Sequence, residues 1–165
     1  MYIIIPAYEP DKRLIQVVQD ITIKLPKARI IVVNDGSGPG YNDYYDETAF
    51  IGATVLTHPI NKGKGAALKT AFAHIQEEVV SQHLSAQPIV TVDSDGQHLI
   101  KDIVRVAKAI EENPSHLVLG ARAFVGKVPA RSRFGNKVTA GLFRLVTGQK
   151  VTDTQTGLRG MSTDL

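Results

Sequence analysis

The sequence contains no cysteine, no long apolar run and no block of like charge. Without thiols the chain cannot be a disulfide scaffold, bind zinc through cysteine or use a thiol nucleophile, and a reducing compartment such as the cytoplasm suits it. Apolar runs such as Met1–Ile5 stop at five residues, far short of the roughly 20 that a membrane-spanning helix needs. The formal net charge of +3 is not gathered into a basic arm, so we expect no nucleic-acid partner.

The two ends of the chain also lack familiar signals. No basic stretch precedes the apolar start, and Pro6 and Glu9 interrupt it, so a strand is expected there rather than a signal peptide. Met161–Leu165 stops without a capping element or a polar tail, and we therefore expect the chain to be a piece of a longer protein. Its 165 residues, 43% of them hydrophobic, are enough for one domain with a substantial core.

Short runs rich in isoleucine and valine alternate along the chain with segments of helical periodicity. Five predicted strands share that composition: Tyr2–Ile5, Ile30–Val33, Ala53–Thr57, Ile89–Val92 and Leu117–Leu119. Three segments repeat apolar residues with a 3.6-residue period, which predicts helices, namely Leu14–Leu25, Leu68–Val79 and Leu99–Ile110. Strands alternating with helices predict right-handed βαβ units. The expected fold is α/β, with a mostly parallel central sheet and helices on both faces.

Small polar and acidic residues follow three of the predicted strands. In a doubly wound sheet the ligand lies at the carboxyl ends of the strands, near the point where the strand order reverses. The ends of the first and fourth strands, Pro6–Glu9 and Asp93–His98, should meet at that point, and the second strand ends in Asn34–Ser37. This edge of the sheet is the candidate site.

Asp93-Ser94-Asp95 at the end of the fourth strand is a candidate metal site. The spacing alone carries little information, but the apolar strand before it and the turn at Gly96 would deliver both carboxylates to the sheet edge. Hard oxygen ligands suit Mg²⁺ or Mn²⁺, which often bridge one or two carboxylates to substrate phosphates. A solvated Asx turn is the alternative. His98 could add a ligand, although a lone histidine there is more often a helix-start or surface residue.

Two further loops could bind parts of a nucleotide. Asn34–Ser37 is predicted to be a loop rather than a hairpin, because no alternating strand follows it, and Asp35 could accept a hydrogen bond from a base N–H. Asn61–Ala67 opens a predicted helix with glycines and lysines, a generic arrangement for binding anions. Its spacing fits neither a Walker A loop nor the dinucleotide fingerprint, and a simple helix start is the alternative.

Over the last 40 or so residues, the alternation of apolar strands with helices gives way to a different pattern. A basic, Gly- and Pro-containing stretch at 126–135 precedes an amphipathic helix carrying Val138, Leu142 and Leu145, and Thr152–Arg159 follows. Single arginines are usually solvated, but several together can grip phosphate oxygens. The arginines that could form such an anion pocket are Arg122, Arg131, Arg133 and Arg159.

Taken together, these motifs resemble the family 2 glycosyltransferases of Rossmann-like GT-A fold, and most of all the polyprenyl-phosphate sugar transferases similar to dolichyl-phosphate mannosyltransferase. Five motifs stand in family order: Pro6–Pro10, Val33–Ser37, Asn61–Gly65, Asp93–His98 and Asp153–Arg159. Glu9-Pro10 departs from the family, in which Asn-Glu is frequent, and typical members continue well beyond this length. The resemblance implies a nucleotide-binding part at 1–98 and an incomplete acceptor-side part at 99–165.

The resemblance also implies roles for individual residues. The donor nucleotide would be held by Pro6, Tyr8, Glu9, Asp35, Lys64 and Asp93. Mg²⁺ or Mn²⁺ would be held by Asp95 and Gln97, with Asp93 as a possible further ligand. Gln155 and Arg159 would line the sugar pocket. The catalytic group would be Asp153, near the reacting sugar, with Arg122 and Arg131 or Arg133 facing the acceptor phosphate.

The implied reaction is metal-dependent, inverting transfer of a sugar from a UDP- or GDP-sugar to undecaprenyl or dolichyl phosphate in cell-envelope glycan synthesis. The protein would then work at the cytoplasmic face of the membrane, and its basic charge would favour anionic lipid.

Three alternatives stay open. A glycan hydroxyl could be the acceptor, with Asp153 as the only evident general base; the chain could be a non-catalytic nucleotide-binding fragment; or it could be a Rossmann-type oxidoreductase. The oligomeric state is not predicted.

Overall fold

A computed structural model describes residues 1–121 and 156–165, which form a sheet of six strands flanked by four α-helices. The strands are β1 (Tyr2–Ala7), β2 (Arg29–Asn34), β3 (Thr54–Thr57), β4 (Pro88–Thr91), β5 (Val118–Leu119) and β6 (Arg159–Ser162). The helices are α1 (Lys12–Lys24), α2 (Asn42–Ile51), α3 (Lys64–Ser81) and α4 (Ile100–Glu112), and a 3₁₀ turn at Pro39–Tyr41 precedes α2.

The order of the strands is β3-β2-β1-β4-β6-β5. β1 pairs in parallel with β2 and β4, and β2 with β3, whereas β6 is antiparallel to both of its neighbours. The order of the chain therefore reverses between β1 and β4, which is where a doubly wound sheet opens a crevice for a ligand. The predicted α/β fold and the meeting of the first and fourth strands are both confirmed.

Alternation along β1 gives the sheet an apolar core on each face. Ile3 and Ile5 point to one side, where they pack with residues of α1 and α4, and Tyr2 and Ile4 point to the other side, towards α3. All six residues of β1 are buried, as expected of a strand covered on both faces. Each fully buried isoleucine contributes about 1.5–3 kcal/mol to stability, so β1 holds the two layers together.

The structure corrects the sequence analysis at two elements. The polar segment after Pro39, for which the sequence pattern predicts no helix, forms α2, and only Tyr45 and Thr48 of that helix are buried. The last residues, which showed no recognisable element, include β6, and its central Gly160 pairs with Val90 of β4 and Val118 of β5. The basic stretch at 126–135 and the amphipathic helix predicted around Leu142 lie outside the described residues. No helix in the described part of the chain has the length and hydropathy needed to cross a bilayer.

Candidate functional site

The carboxyl ends of β1 and β2 and the start of α3 enclose a small cleft. Its volume is about 200 Å³, and its lining consists of Pro6, Ala7, Tyr8, Asp35 and Lys64. Four of the six residues predicted to bind the donor nucleotide therefore share one cleft, and Tyr8 is half-exposed at it. Glu9 lies beside it in the β1–α1 loop, and Asp93 reaches it through a contact with Lys64.

Asp35, directly after β2, is only 3% exposed. Its Oδ1 accepts hydrogen bonds from His58 Nδ1 at 2.7 Å and from the Lys62 N–H at 3.0 Å. Burial acts to raise the pKa of this carboxyl, but the Lys62 N–H and the His58 ring outweigh it and hold the pKa below its ordinary value. Asp35 is therefore an ionised acceptor fixed by donors from the β3–α3 connection.

His58 reaches Asp35 because of the register of the sheet. Asn34 of β2 pairs with Thr57 of β3, so the residues that follow each strand become neighbours at the edge. The other ring nitrogen of His58, Nε2, lies 2.8 Å from the Thr70 hydroxyl on α3. The histidine thus links the carboxylate to the helix behind it.

Gly36 makes a close backbone approach possible next to Asp35. Its φ is +75°, and a Cβ at this position would lie 2.1 Å from the carbonyl carbon of Ile60. Any side chain would collide with the main chain of the β3–α3 connection, and only glycine adopts this φ at little cost. The contact keeps the loop after β2 against the segment that supplies the Lys62 N–H.

A second set of hydrogen bonds fixes the loop after β1. The Glu9 N–H donates to Ser37 Oγ at 2.8 Å, and Glu9 has a φ of 46°. The Tyr45 hydroxyl of α2 lies 2.8 Å from Ser37 Oγ and 3.2 Å from the Ala7 carbonyl oxygen. A helix that the sequence analysis missed therefore positions two predicted donor-binding loops.

Asp93 lies at the opposite side of the edge, after β4. Its carboxylate forms an ion pair with Lys64 Nζ and a hydrogen bond of 3.1 Å with His98 Nε2. The His98 contact and the Lys64 ammonium hold the pKa of Asp93 well below its usual range, against the opposing effect of burial. The Gly157 backbone closes over this carboxylate, since a Cβ at 157 would lie 2.0 Å from Asp93 Oδ2.

The residues predicted to hold a metal ion lie in the loop between β4 and α4. Asp95 Oδ1 accepts the Gln97 N–H at 3.1 Å, and Gly96 between them has a φ of +73°. Within residues 1–121 and 156–165, no three His, Asp or Glu side chains are grouped as metal ligands. Carboxylate and amide oxygens nevertheless fit Mg²⁺, which commonly takes one or two protein carboxylates and completes its shell with waters and substrate phosphates. The assignment of Asp95 and Gln97 to a metal stays a prediction.

Of the residues predicted to contact the acceptor phosphate or the sugar, the described part of the chain includes only Arg159. This residue begins β6 beside Thr91 of β4, and its Nε donates to the Thr156 carbonyl oxygen at 3.0 Å. The other predicted residues of this side, Arg122, Arg131, Arg133, Asp153 and Gln155, lie outside the described residues. Their roles remain predictions.

Sequence reasoning missed three residues that build the site. They are His58 and Tyr45, which contact the predicted donor-binding loop at Asp35 and Ser37, and Thr70, which contacts His58. One signal was available for His58: it directly follows a predicted parallel strand, so its side chain belongs to the same edge as Asp35.

Comparison with known proteins gives a consistent result. The model of the family described as Glycosyl transferase family 2 matches residues 2–165. An uncharacterized protein of Methanocaldococcus jannaschii is 30% identical over 172 residues, which cover 98% of this chain and 64% of that protein. A UDP-N-acetylglucosamine–dolichyl-phosphate N-acetylglucosaminyltransferase of Methanococcus voltae is 30% identical over 180 residues, covering 98% of this chain and 69% of its own length.

Two more distant matches extend the comparison. A dolichyl-phosphate beta-glucosyltransferase of Trichomonas vaginalis is 28% identical over 137 residues, covering 73% of this chain and 39% of that protein. A mannosyltransferase from Pyrobaculum calidifontis, solved in complex with GDP-Man and Mn²⁺, superimposes with a TM-score of 0.51 at 19% identity, covering 70% of this chain and 33% of that one. That likeness supports the GT-A fold. The chain spans between 39% and 69% of the length of these three curated relatives.

Proposed function

The chain belongs to glycosyl transferase family 2, and on that premise we propose that it is the donor-binding part of a metal-dependent, inverting glycosyltransferase. Its donor would be a nucleoside-diphosphate sugar and its acceptor a polyprenyl phosphate, in the synthesis of cell-envelope glycans. The observation that carries the proposal is the cleft at the carboxyl edge of the sheet, which Asp35 and Lys64 line and where Lys64 contacts Asp93.

The comparisons support both substrates. The relatives from M. voltae and T. vaginalis are named as transferases that act on dolichyl phosphate, which is a polyprenyl phosphate. The Pyrobaculum mannosyltransferase was solved with GDP-Man and Mn²⁺, a nucleotide-sugar and a divalent cation of the kind that the carboxyl edge suits.

Asp35 would recognise the base and Lys64 the diphosphate. An ionised carboxylate only accepts hydrogen bonds, so Asp35 would accept from a ring N–H of uracil or guanine, while Pro6, Tyr8 and Glu9 would contact the base and ribose. The Lys64 ammonium, which pairs with Asp93 at the same cleft, would turn to the diphosphate oxygens. Charge-assisted hydrogen bonds of this type are about twice as strong as neutral ones.

Asp95 and Gln97 would hold Mg²⁺ or Mn²⁺ next to the diphosphate, with Asp93 as a possible further ligand. A divalent ion supplies neutralisation of the negative charge that develops on the leaving diphosphate. Asp93 would also contact the nucleotide once Lys64 has turned away from it.

In the transfer step an oxygen of the acceptor phosphate attacks the anomeric carbon. The bond from that carbon to the donor's diphosphate oxygen breaks, and the nucleoside diphosphate leaves with the electron pair, so a single displacement inverts the configuration. A phosphate acceptor is already ionised near neutral pH and needs alignment and charge compensation rather than a general base. Arg122 and Arg131 or Arg133 would supply these at the acceptor phosphate. Asp153 would lie close to the reacting sugar, with Gln155 and Arg159 lining the sugar pocket. Because a polyprenyl chain lies in the bilayer, the reaction would take place at the cytoplasmic membrane surface.

The proposal is tested by the effect of metal on nucleotide binding. We expect Mn²⁺ or Mg²⁺ to strengthen the binding of UDP or GDP by the wild-type chain, and Asp95→Asn to abolish that increase while leaving the unfolding transition unchanged. Asp46→Asn makes the same charge change on the exposed face of α2 and should retain the increase. Isothermal titration with and without metal measures both. A wild-type affinity that is identical with and without metal would contradict the proposal.

A further inference from the structure

One buried, titratable side chain next to the cleft has no part in the proposed transfer. His58 is 6% exposed, and both ring nitrogens have a partner: Nδ1 lies 2.7 Å from Asp35 Oδ1 and Nε2 lies 2.8 Å from Thr70 Oγ1. Its main chain is fixed as well, because the His58 N–H donates to the Asn34 carbonyl oxygen at 2.9 Å. The residue is therefore held at three points, two on the ring and one on the main chain, between a helix and a carboxylate.

The chemistry of Asp35 determines which nitrogen of His58 carries a proton. The pKa of Asp35 lies below its ordinary value, so the carboxylate is ionised at neutral pH and can only accept hydrogen bonds. The ring nitrogen facing it must therefore be an N–H donor, which assigns the proton to Nδ1. Nε2 then accepts a hydrogen bond from the Thr70 hydroxyl, which can rotate to donate it.

These hydrogen bonds restrict how Asp35 can bind a ligand. Oδ1 already accepts from His58 and from the Lys62 N–H, so the carboxylate cannot rotate without breaking both bonds. Protonation of Oδ1 would place a hydrogen where two donors already point, and the pKa below its ordinary value leaves the whole carboxylate ionised near neutral pH. What Asp35 offers to the cleft is therefore a fixed acceptor.

We infer that His58 is a positioning residue for donor selection: with Thr70 behind it, it holds Asp35 as a fixed acceptor that selects bases presenting a ring N–H. Uracil and guanine present one, whereas cytosine presents a ring nitrogen with a lone pair, which a carboxylate repels. Selection by such a mismatch is effective because the wrong base leaves a buried polar group unpaired. The inference rests on the proposed function, since it needs a nucleotide at Asp35.

The experiment compares nucleoside diphosphates that differ only in the base. Affinities for UDP, GDP, CDP and inorganic pyrophosphate are measured by isothermal titration, with Mn²⁺ present, for the wild-type chain and four variants. His58→Leu removes both hydrogen bonds, His58→Asn keeps an amide N–H near the position of Nδ1, and Thr70→Val removes only the hydroxyl behind the ring. Thr48→Val is the matched control, because Thr48 is another helical threonine, and its hydroxyl donates to the Tyr45 carbonyl oxygen of its own helix rather than to a histidine.

The expected result is a loss of base selectivity without a loss of diphosphate binding. His58→Leu should weaken the better of UDP and GDP by about 10- to 100-fold, the effect of losing one hydrogen bond to a charged group, and change CDP and pyrophosphate by less than about threefold. His58→Asn should restore most of the selectivity, Thr70→Val should lose a smaller part of it, and Thr48→Val none. If His58→Leu does not fold, the test is the comparison of His58→Asn and Thr70→Val with the wild-type chain and Thr48→Val.

Two results overturn the inference, and they differ from failure of the proposed function. If the wild-type chain discriminates against CDP and the His58 and Thr70 variants keep the same ratio, His58 does not position Asp35, although the proposed function stands. If pyrophosphate binding falls as much as UDP and GDP binding, the role of His58 is only structural. If the wild-type chain binds none of the nucleoside diphosphates, the proposed function fails and the inference fails with it.

Discussion

Two aspartates stand on opposite sides of the same sheet edge, and the protein holds them in different ways. Asp35 is almost fully buried, and its partners are a main-chain N–H and a histidine ring that is itself held. Asp93 has a side chain that is 30% exposed, and its partners are a histidine and the end of a lysine that is half-exposed. The carboxyls of both have lowered pKa values. Asp35 is fixed by the fold, whereas Asp93 is held partly by a largely buried histidine and partly by a lysine side chain that can move away.

That difference matches what each group would have to do under the proposed function. A side chain that hydrogen-bonds to the base binds it more tightly if it is already fixed before the nucleotide arrives, because preorganisation reduces the entropic cost of binding. A carboxylate beside the diphosphate meets a ligand of high negative charge. It therefore needs a cationic partner that can move from the carboxylate to the diphosphate oxygens. Lys64 pairs with Asp93 and lines the cleft, so it satisfies this requirement.

The largest expected effect comes from adding one methyl group beside Asp35. Gly36→Ala would place a Cβ 2.1 Å from the main chain of Ile60 in a residue whose φ is +75°. Neither the backbone nor the φ can relax cheaply, so we expect the free energy of unfolding to fall by about 3 kcal/mol or more. Urea unfolding measures it. Gly38→Ala, two residues along the same loop and with no neighbour within 4 Å, should change stability by less than about 0.5 kcal/mol, and a similar effect of the two variants would contradict the comparison.

A smaller effect is expected at Asp93, and it should depend on pH. Asp93→Asn removes the charge that pairs with His98 and Lys64, which should cost about 1 kcal/mol near neutral pH for a partly exposed group. Because the pKa of the folded carboxyl is lowered, its stabilisation is present above the unfolded pKa of about 3.9 and is lost as the pH falls further. Urea unfolding from pH 6 to pH 2 in the presence of EDTA should therefore show the wild-type and variant curves converging below about pH 4. A difference that stays constant over this range would mean that the charge of Asp93 contributes no stability.

The sequence was a good guide where local pattern determines structure. The apolar runs of β1 and β4 and the alternation of strands with helices were enough to predict a parallel sheet and the meeting of Pro6–Glu9 with Asp93–His98. The structure confirms that edge and gathers Pro6, Tyr8, Asp35 and Lys64 at one cleft. The rules of βαβ topology require no knowledge of distant contacts, and for this reason they succeeded.

The elements that were missed depend on contacts that no local pattern records. α2 buries only Tyr45 and Thr48, too few residues to give an apolar stripe. β6 consists of Arg-Gly-Met-Ser and becomes a strand by pairing with β4, about 70 residues earlier in the chain. Its Gly160 has no room for a Cβ, which would lie 2.5 Å from Val106 of α4. His58 was missed because only the register of β2 and β3 brings it to Asp35.

The smallest effect on stability is expected from a methyl group on the Asp93 side. Gly157→Ala would place a Cβ 2.0 Å from Asp93 Oδ2, but this atom ends a side chain that can rotate away, unlike the main chain that faces Gly36. The lost contacts of Asp93 would be partly offset by the lower entropy of the unfolded alanine chain, so we expect a net loss of about 0.5 kcal/mol. In an Asp93→Ala background the methyl group meets no carboxylate, and the same substitution should become neutral or stabilising by about 0.5 kcal/mol. A double-mutant cycle by urea unfolding measures this change of sign. If Gly157→Ala costs the same in both backgrounds, the strain lies in the backbone, and the Asp93 side of the edge is as rigid as the Asp35 side.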